Sequence, residues 1–373
     1  MAARAAERRT GWVWDERFTQ HDASLDLGAW VEPGPMFETP AGKQRIASLV
    51  AATGLIDQLT ALSPDPIDRD DLERVHDPAY VDRVASLSST GGGPAGDYCH
   101  VGPGSYEIAL LAAGGTYAAL RAVLEGRADN AYALVRPAGH HAEPGRGRGY
   151  CVFSNLGVAI HKARAELGMG RVAVVDWDVH HGNGTEAIFA DDPEVLTVSI
   201  HQDRLYPGDT GDPLSTGSPA APGTSVNVAL PPGSGWGAYE HALHRVVAPA
   251  VRAFRPDVLL VANGFDAGSF DPMGRMLLSS AAFGRLAEFV RQLAEELCQG
   301  RVMLSHEGGY SELHVPFCGL AVLEALSGAR TGVEDPFAWV EADPHQTLTT
   351  HQAEAVTRTV EAHRGFTDLT HST

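Results

Sequence analysis

One stretch constrains this chain more than any other: Val174-Val175-Asp176-Trp177-Asp178-Val179-His180-His181-Gly182-Asn183-Gly184. It continues Arg171-Val172-Ala173, so a β-branched apolar run turns abruptly polar and then ends in glycines. Such a run reads as a parallel strand buried on both faces. Asp178 and His180 stand two apart, which in extended chain puts them on one side. A carboxylate and an imidazole together are two of the three protein ligands of an open catalytic zinc site. The competing reading is a strand end whose Asp and His cap the next helix.

The rest of the chain decides between the two. A short strand is expected at Gly11-Trp12-Val13-Trp14, followed by a polar segment through Glu32 with no assignable structure. Thr39-Pro40 and Asp77-Pro78 open helices, with Thr39 as cap and Pro40 as first residue in the former. Gly91-Gly92-Gly93-Pro94-Ala95-Gly96 reads as a flexible loop, either a linker or a rim of the site. A small-residue helix over 105–124 precedes strands at 131–135, 172–175, 195–200, 258–262 and 302–304, with helices at 155–167, 238–254 and 281–297. That alternation predicts an α/β fold, a parallel sheet covered by helices on both faces. In such sheets the site lies beyond the carboxyl ends of the strands.

Four strands meet that rule. Their ends run into Arg136-Pro137-Ala138-Gly139-His140-His141, into Asp176, Asp178 and His180, into Asn263-Gly264-Phe265-Asp266, and into Ser305-His306-Glu307-Gly308-Gly309-Tyr310. Helix caps alone do not concentrate His, Asp and Tyr on one edge. Asp178, His180 and Asp266 make a set of one imidazole and two carboxylates, suited to zinc and also to ferrous iron, cobalt or manganese. His140 and His141, ordinarily titrating near neutrality, suit general acid–base work, with Asp176 and Asn183 placed to orient them. Tyr310 suits hydrogen-bond donation to a developing oxyanion. The combination specifies hydrolysis of a carbonyl compound, most simply an amide. No serine elbow and no phosphate-binding glycine loop competes.

In order and spacing these motifs resemble the zinc-dependent histone deacetylases. The likeness is greatest to the class II-like bacterial histone-deacetylase-like amidohydrolases and acetylpolyamine amidohydrolases, and it runs from about residue 11 to 336. It implies the arginase–deacetylase fold, a single domain with a central, mostly parallel sheet. Residues 1–10 are then an extension, and 337–373 a helical tail that packs on the domain or on another subunit. By the resemblance Asp178, His180 and Asp266 hold one zinc per chain, and Tyr310 polarises the acyl carbonyl. His141 is the main base and acid, His140 assists electrostatically and is held by Asp176, and Asn183 marks the class II type. The Gly149 carbonyl receives the substrate amide N–H, and Tyr150 and Tyr206 wall the acyl-lysine tunnel where Phe is common. Backbone oxygens of Asp176, Asp178, His180, Ser199 and Ile200 are implied to hold structural potassium, with a second ion at Phe189, Asp192, Val195 and Thr224. Asn263, Arg148 and His306 depart from the usual pattern. His306 reads as a packed or supporting residue, and His21 as a surface residue.

The function expected is removal of acetyl or other short acyl groups from the amine of a lysine-like or polyamine substrate, small or peptidic. An amide of secondary metabolism is an alternative substrate, and a metal sensor or binding protein an alternative class. Tyr310 and the intact His pair count against the binding protein, which needs neither. A two-metal ureohydrolase fails because Gly182 stands where its extra carboxylate belongs. With Lys+Arg 28 against Asp+Glu 47 the net charge is -19, which argues against direct nucleic-acid binding. Cys99, Cys151, Cys298 and Cys318 form no Cys-x-x-Cys, so a reducing cytoplasm is expected. No signal-peptide core and no apolar run near ~18 residues is seen, so no membrane partner is expected. A homo-oligomer is expected from the resemblance alone.

Overall fold

The computed structural model describes residues 8–23 and 36–366. Eleven strands occur among them: β1 Thr10–Val13, β2 Leu59–Ala61, β3 Gly93–Asp97, β4 Cys99–Val101, β5 Asn130–Ala133, β6 Gly147–Arg148, β7 Val172–Asp176, β8 Val195–Gln202, β9 Ser225–Leu230, β10 Val258–Asn263 and β11 Val302–His306. Eight build one sheet in the order β2-β1-β5-β11-β10-β7-β8-β9, and every adjacent pair is parallel. Alternation along the strands separates two cores. Ala173 and Val175 of β7, Leu259 and Val261 of β10, and Tyr132 of β5 face one. Val172 and Val174, Leu260 and Ala262, and Ala131 and Ala133 face the other. Both faces are covered, so the central strands β5, β10 and β7 carry largely apolar runs.

The second core includes the helices Ser105–Leu124 and Asn155–Leu167; the first includes Ala41–Ala52, Ser280–Leu297 and Val315–Ser327. Helix Ser105–Leu124 corrects one expectation. By length and composition it is apolar enough to cross a bilayer, yet 72% of its most apolar window is buried in the fold. Its apolar residues serve the core.

Three other local readings change. The Gly-rich segment predicted as a flexible loop contains β3, which pairs antiparallel with β4 and parallel with β6 in a small separate sheet. A side chain at Gly96 would stand 1.9 Å from the Gly147 carbonyl oxygen, so glycine is what lets the two strands approach. The helix predicted over 238–254 is Trp236–Ala242, a π-helical stretch Leu243–Val247, then Ala248–Phe254. Pro249 has no N–H to give and its ring crowds the preceding turn, which the wider π turn accommodates. At Thr39-Pro40 the helix begins one residue late, at Ala41, with Pro40 as the flanking residue. The unassigned polar segment forms a 3-10 helix over Glu16–Gln20, and its continuation at 24–35 lies outside the described residues. The C-terminal helix Thr350–Ala362 packs on β9, with Thr359 Oγ1 donating to the Asn227 carbonyl at 2.7 Å.

Candidate active site

The strands β5, β11, β10 and β7 are consecutive across the middle of the sheet, although they come from distant parts of the chain. Their carboxyl ends therefore bring residues 136–141, 176–183, 263–266 and 306–310 to one place. Asp178, His180, Asp266, His140, His141 and Tyr310 are all in this cluster.

β7 stops at Asp176, so Asp178 and His180 do not share a side by strand alternation as expected. They converge through a bend: the Asp178 carboxylate accepts the His180 N–H at 2.9 Å. An Asp bonding the backbone two residues on is a standard turn device. His180 Nδ1 lies 3.0 Å from Asp178 Oδ1 and 3.1 Å from Asp266 Oδ2. Asp178 Oδ2 also accepts the Gly308 N–H at 2.9 Å, and Asp266 Oδ1 that of Val179 at 2.8 Å.

Ligand atoms of Asp178, His180 and Asp266 lie within 4.8 Å of one another. Both carboxylates are wholly buried, and among the described residues neither forms a salt bridge to Lys or Arg. Burial opposes charge on His180, but its bonds to Asp178 and Asp266 carry its pKa up to about 10. Burial, with Asp178 next, pushes Asp266 up to about 6. Two buried carboxylates converging on one imidazole nitrogen, with no Lys or Arg paired to either among the described residues, form a donor set that fits a divalent cation.

The imidazole pair is held from behind. His140 Nδ1 lies 2.9 Å from Asp176 Oδ2, and His141 Nδ1 lies 2.7 Å from Asn183 Oδ1. Their rings stand 4.0 Å apart. Burial disfavours charge on His140, yet Asp178 and Asp176 raise its pKa well above the ordinary value. Burial and the charges of His140 and His180 push His141 well below it. The Asn183 amide nitrogen donates to Glu143 Oε1 at 2.8 Å and to the His141 carbonyl at 3.3 Å, leaving its oxygen for His141 Nδ1. Nδ1 therefore carries the hydrogen, and Nε2 of His141 keeps its lone pair.

Tyr310 is half-buried and faces Tyr150 with ring centres 5.9 Å apart. Burial and then Asp266 raise its pKa well above the ordinary value, so the hydroxyl stays a donor. Across from it the Tyr206 ring meets His141 edge-on at 5.1 Å. Gly149 sits between His141 and Tyr206 with φ +48, and Tyr150 follows with φ 66. Gly149 and Tyr150 are fastened to the small sheet through their N–H groups, which donate to the Asp97 and Tyr98 carbonyls at 2.9 Å each.

Of the residues for which the resemblance implies potassium, Asp176 pairs with Ser199 in the β7–β8 register, and Ile200 follows on β8. The Asp192 N–H donates to the Phe189 carbonyl and the Val195 N–H to that of Asp192, so these three form consecutive turns; the Thr224 carbonyl accepts the Thr197 N–H.

Three acids support the site: Glu307, which the sequence places in the Tyr310 motif without a role of its own, and Asp271 and Glu143, which it leaves unassigned. Glu307 Oε2 accepts the N–H groups of Gly139 and His140 at 2.7 and 3.0 Å, tying two catalytic loops together, and burial pushes its pKa up to about 7. Asp271 Oδ2 accepts the N–H groups of Tyr310 and Ser311 at 2.6 and 3.2 Å. Glu143 holds Asn183 as described. Their only sequence signal is an acid beside a glycine or histidine motif.

His21 is not on the surface as expected: it is 3% exposed, its Nδ1 3.0 Å from Ser105 Oγ and its carbonyl accepting from Arg136 at 2.6 Å. Burial and then Arg136 push its pKa down to about 3. Arg136 is gripped by both oxygens of Glu38 at 2.8 and 2.7 Å, with Lys43 3.3 Å from the same carboxylate.

Residues 36–326 match the model of the histone deacetylase domain. The chain is 47% identical to the histone deacetylase-like amidohydrolase of Pseudomonas aeruginosa over 337 residues, covering 88% of this chain and 89% of that protein. It is 33% identical to a probable deacetylase of Archaeoglobus fulgidus, over 86% of each, and 37% identical to histone deacetylase 8 of Arabidopsis thaliana, over 71% and 72%. The crystal structure of the HDA15 HD domain superposes with a TM-score of 0.86 at 30% identity, covering 97% and 96%.

Proposed function

The chain belongs to the histone deacetylase family, is a hydrolase of amide bonds and has that family's fold; from this we propose that it removes acetyl or other short acyl groups from lysine-like or polyamine amines with zinc held by Asp178, His180 and Asp266. The observation that carries the proposal is the convergence of those three buried groups beside an imidazole with a free Nε2 and a tyrosine that stays protonated.

When bound there, zinc supplies Lewis acidity, polarising the acyl carbonyl and lowering the pKa of water. The chain's own residues do the rest. His141, kept neutral by burial and by the charges of His140 and His180, and oriented by Asn183, takes the proton of the attacking water at Nε2 and returns one to the departing amine. His140, kept charged by Asp178 and Asp176 against the cost of burial, favours the negative charge that develops beside it. Tyr310 donates its hydroxyl hydrogen to the carbonyl oxygen as that charge grows, and the Gly149 carbonyl receives the substrate N–H. Tyr150 and Tyr206 exclude water from the aliphatic chain between them. The opposite pKa shifts of two adjacent imidazoles are what separate their roles.

The test is hydrolysis of a fluorogenic acetyl-lysine amide, N-acetylputrescine and a trifluoroacetyl-lysine analogue by zinc-loaded protein, with and without chelator, beside Tyr310→Phe and Asp178→Asn. The expected result is activity abolished by chelator and by Asp178→Asn and reduced at least about a hundredfold by Tyr310→Phe, as for an oxyanion donor. Hydrolysis of none of the three by wild type overturns the substrate assignment, and activity surviving Asp178→Asn overturns the metal site.

A further inference from the structure

Arg148 stands at the junction of rim and site, with its side chain 6% exposed. Nη1 donates to Glu143 Oε1 at 2.9 Å and Nη2 to Asp209 Oδ1 at 3.1 Å, with Asp97 Oδ2 at 3.6 Å. The guanidinium lies over the Tyr206 ring, 5.6 Å from its centre. Glu143 Oε1 is the same oxygen that accepts from the Asn183 amide. The outer oxygen, Oε2, is held by Arg146 at 2.7 Å. An unbroken chain thus runs from Arg148 through Glu143 and Asn183 to His141 Nδ1.

An amide side chain is nearly symmetric in shape, so only its partners decide which end faces the imidazole. Asn183 presents oxygen to His141 because its nitrogen has an acceptor behind it in Glu143. Arg148 holds Oε1 on the inner side against Asn183, opposite the pull of the more exposed Arg146 on Oε2. A turned amide would present N–H to His141 Nδ1 and move the imidazole hydrogen to Nε2, where the base needs a lone pair. We propose that Arg148 is a positioning residue for His141, fixing its tautomer through Glu143 and the orientation of Asn183. The inference rests on the reading of His141 as the base.

The test is a mutant cycle on the zinc-loaded enzyme. Arg148→Met is expected to lower kcat about tenfold, the scale of losing a group that orients a catalytic imidazole. In a Glu143→Ala background the same substitution is expected to leave kcat unchanged, because the link is already cut. Arg148→Lys, which keeps a donor to Glu143, is expected to recover most of kcat. The His141 Nδ1 proton, identified by NMR through its loss in His141→Gln, should be present in wild type and Arg148→Lys and lost in Arg148→Met. That readout needs no turnover, so it separates failure of this inference from failure of the deacetylase reading. A change confined to KM, an equal kcat loss in the Glu143→Ala background, or an Nδ1 proton that persists in Arg148→Met overturns the proposal.

Discussion

Gly149→Ala tests whether the spacing of base and tunnel wall sets the rate. A methyl placed on Gly149 would lie 2.4 Å from His141 Cδ2 and 2.8 Å from Tyr206 Cε1. Ordinary contact begins at 3.4 Å, so the imidazole would have to retreat by 1.0 Å. Asn183 and Glu143 stand behind it, and the His140 ring is only 4.0 Å away, so the movement disturbs the pair. A misplacement of about 1 Å at a reacting group costs about a hundredfold in rate. At φ +48 the alanine also adds left-handed strain of ~1 kcal/mol. Gly126→Ala is the matched control: its φ is +68 and nothing lies within 4 Å, so it carries the strain without the clash. Both variants should lose a few degrees of Tm, but only Gly149→Ala should lose about a hundredfold in kcat on an acetyl-lysine amide. Retention of kcat within about twofold, with the protein folded, would refute the claim that the close approach positions His141.

Glu38→Gln should destabilise the protein by about 3–5 kcal/mol in urea unfolding at pH 7, because it leaves Arg136, 2% exposed, without its carboxylate; a loss below about 1 kcal/mol would contradict a buried ion pair. Acid should weaken the fold before most carboxylates titrate. His76 is buried, its Nε2 accepting the Ser154 N–H at 2.9 Å, and burial lowers its pKa from 6.5 to about 4. The unfolded chain binds that proton first, so this contribution is whole above pH 6.5 and lost progressively down to about 4. The total is ~3 kcal/mol at 1.36 kcal/mol per unit. His76→Gln should flatten the dependence of the urea midpoint on pH across that window, and an unchanged slope would show that His76 is not buried neutral.

What the sequence made legible was the set of residues at strand ends. A parallel strand buried on both faces is nearly all apolar, so the point where Asp176, Asn263 or His306 interrupts the run marks the sheet edge, and four such edges adjoin in space. Spacing said less about how the ligands converge, since Asp178 and His180 meet through a side-chain-closed bend instead of strand alternation. The supporting roles of acids such as Glu307 and Asp271 were not legible, because a carboxylate accepting two backbone N–H groups from another loop leaves no periodic trace. The small sheet was hidden for a related reason: its strand β3 is rich in the residues that ordinarily mark turns, and the need for Gly96 shows only in its close approach to Gly147.

The departures at Asn263 and His306 become intelligible together. Trp177 Nε1, which can only donate, gives its hydrogen to Asn263 Oδ1 at 3.0 Å. The Asn263 amide nitrogen must then donate, and it does so to Tyr132 Oη at 3.0 Å. The Tyr132 hydroxyl, having accepted, donates to His306 Nδ1 at 2.8 Å. Each partner's chemistry fixes the direction of the next bond, so His306 must be the neutral tautomer that accepts at Nδ1. Burial and then Lys43 push its pKa well below the ordinary value, in agreement. This chain ties β5, β10 and β11 to the loop after β7 directly beneath the metal ligands, and it reaches none of the reacting groups. The unusual residues therefore belong to layers that hold the site: Asn263 and His306 beneath it, Arg148 at its rim. Such layers alter rate and selectivity by where they place His141, Asp178 and Tyr206, while the chemistry remains that of the groups they orient.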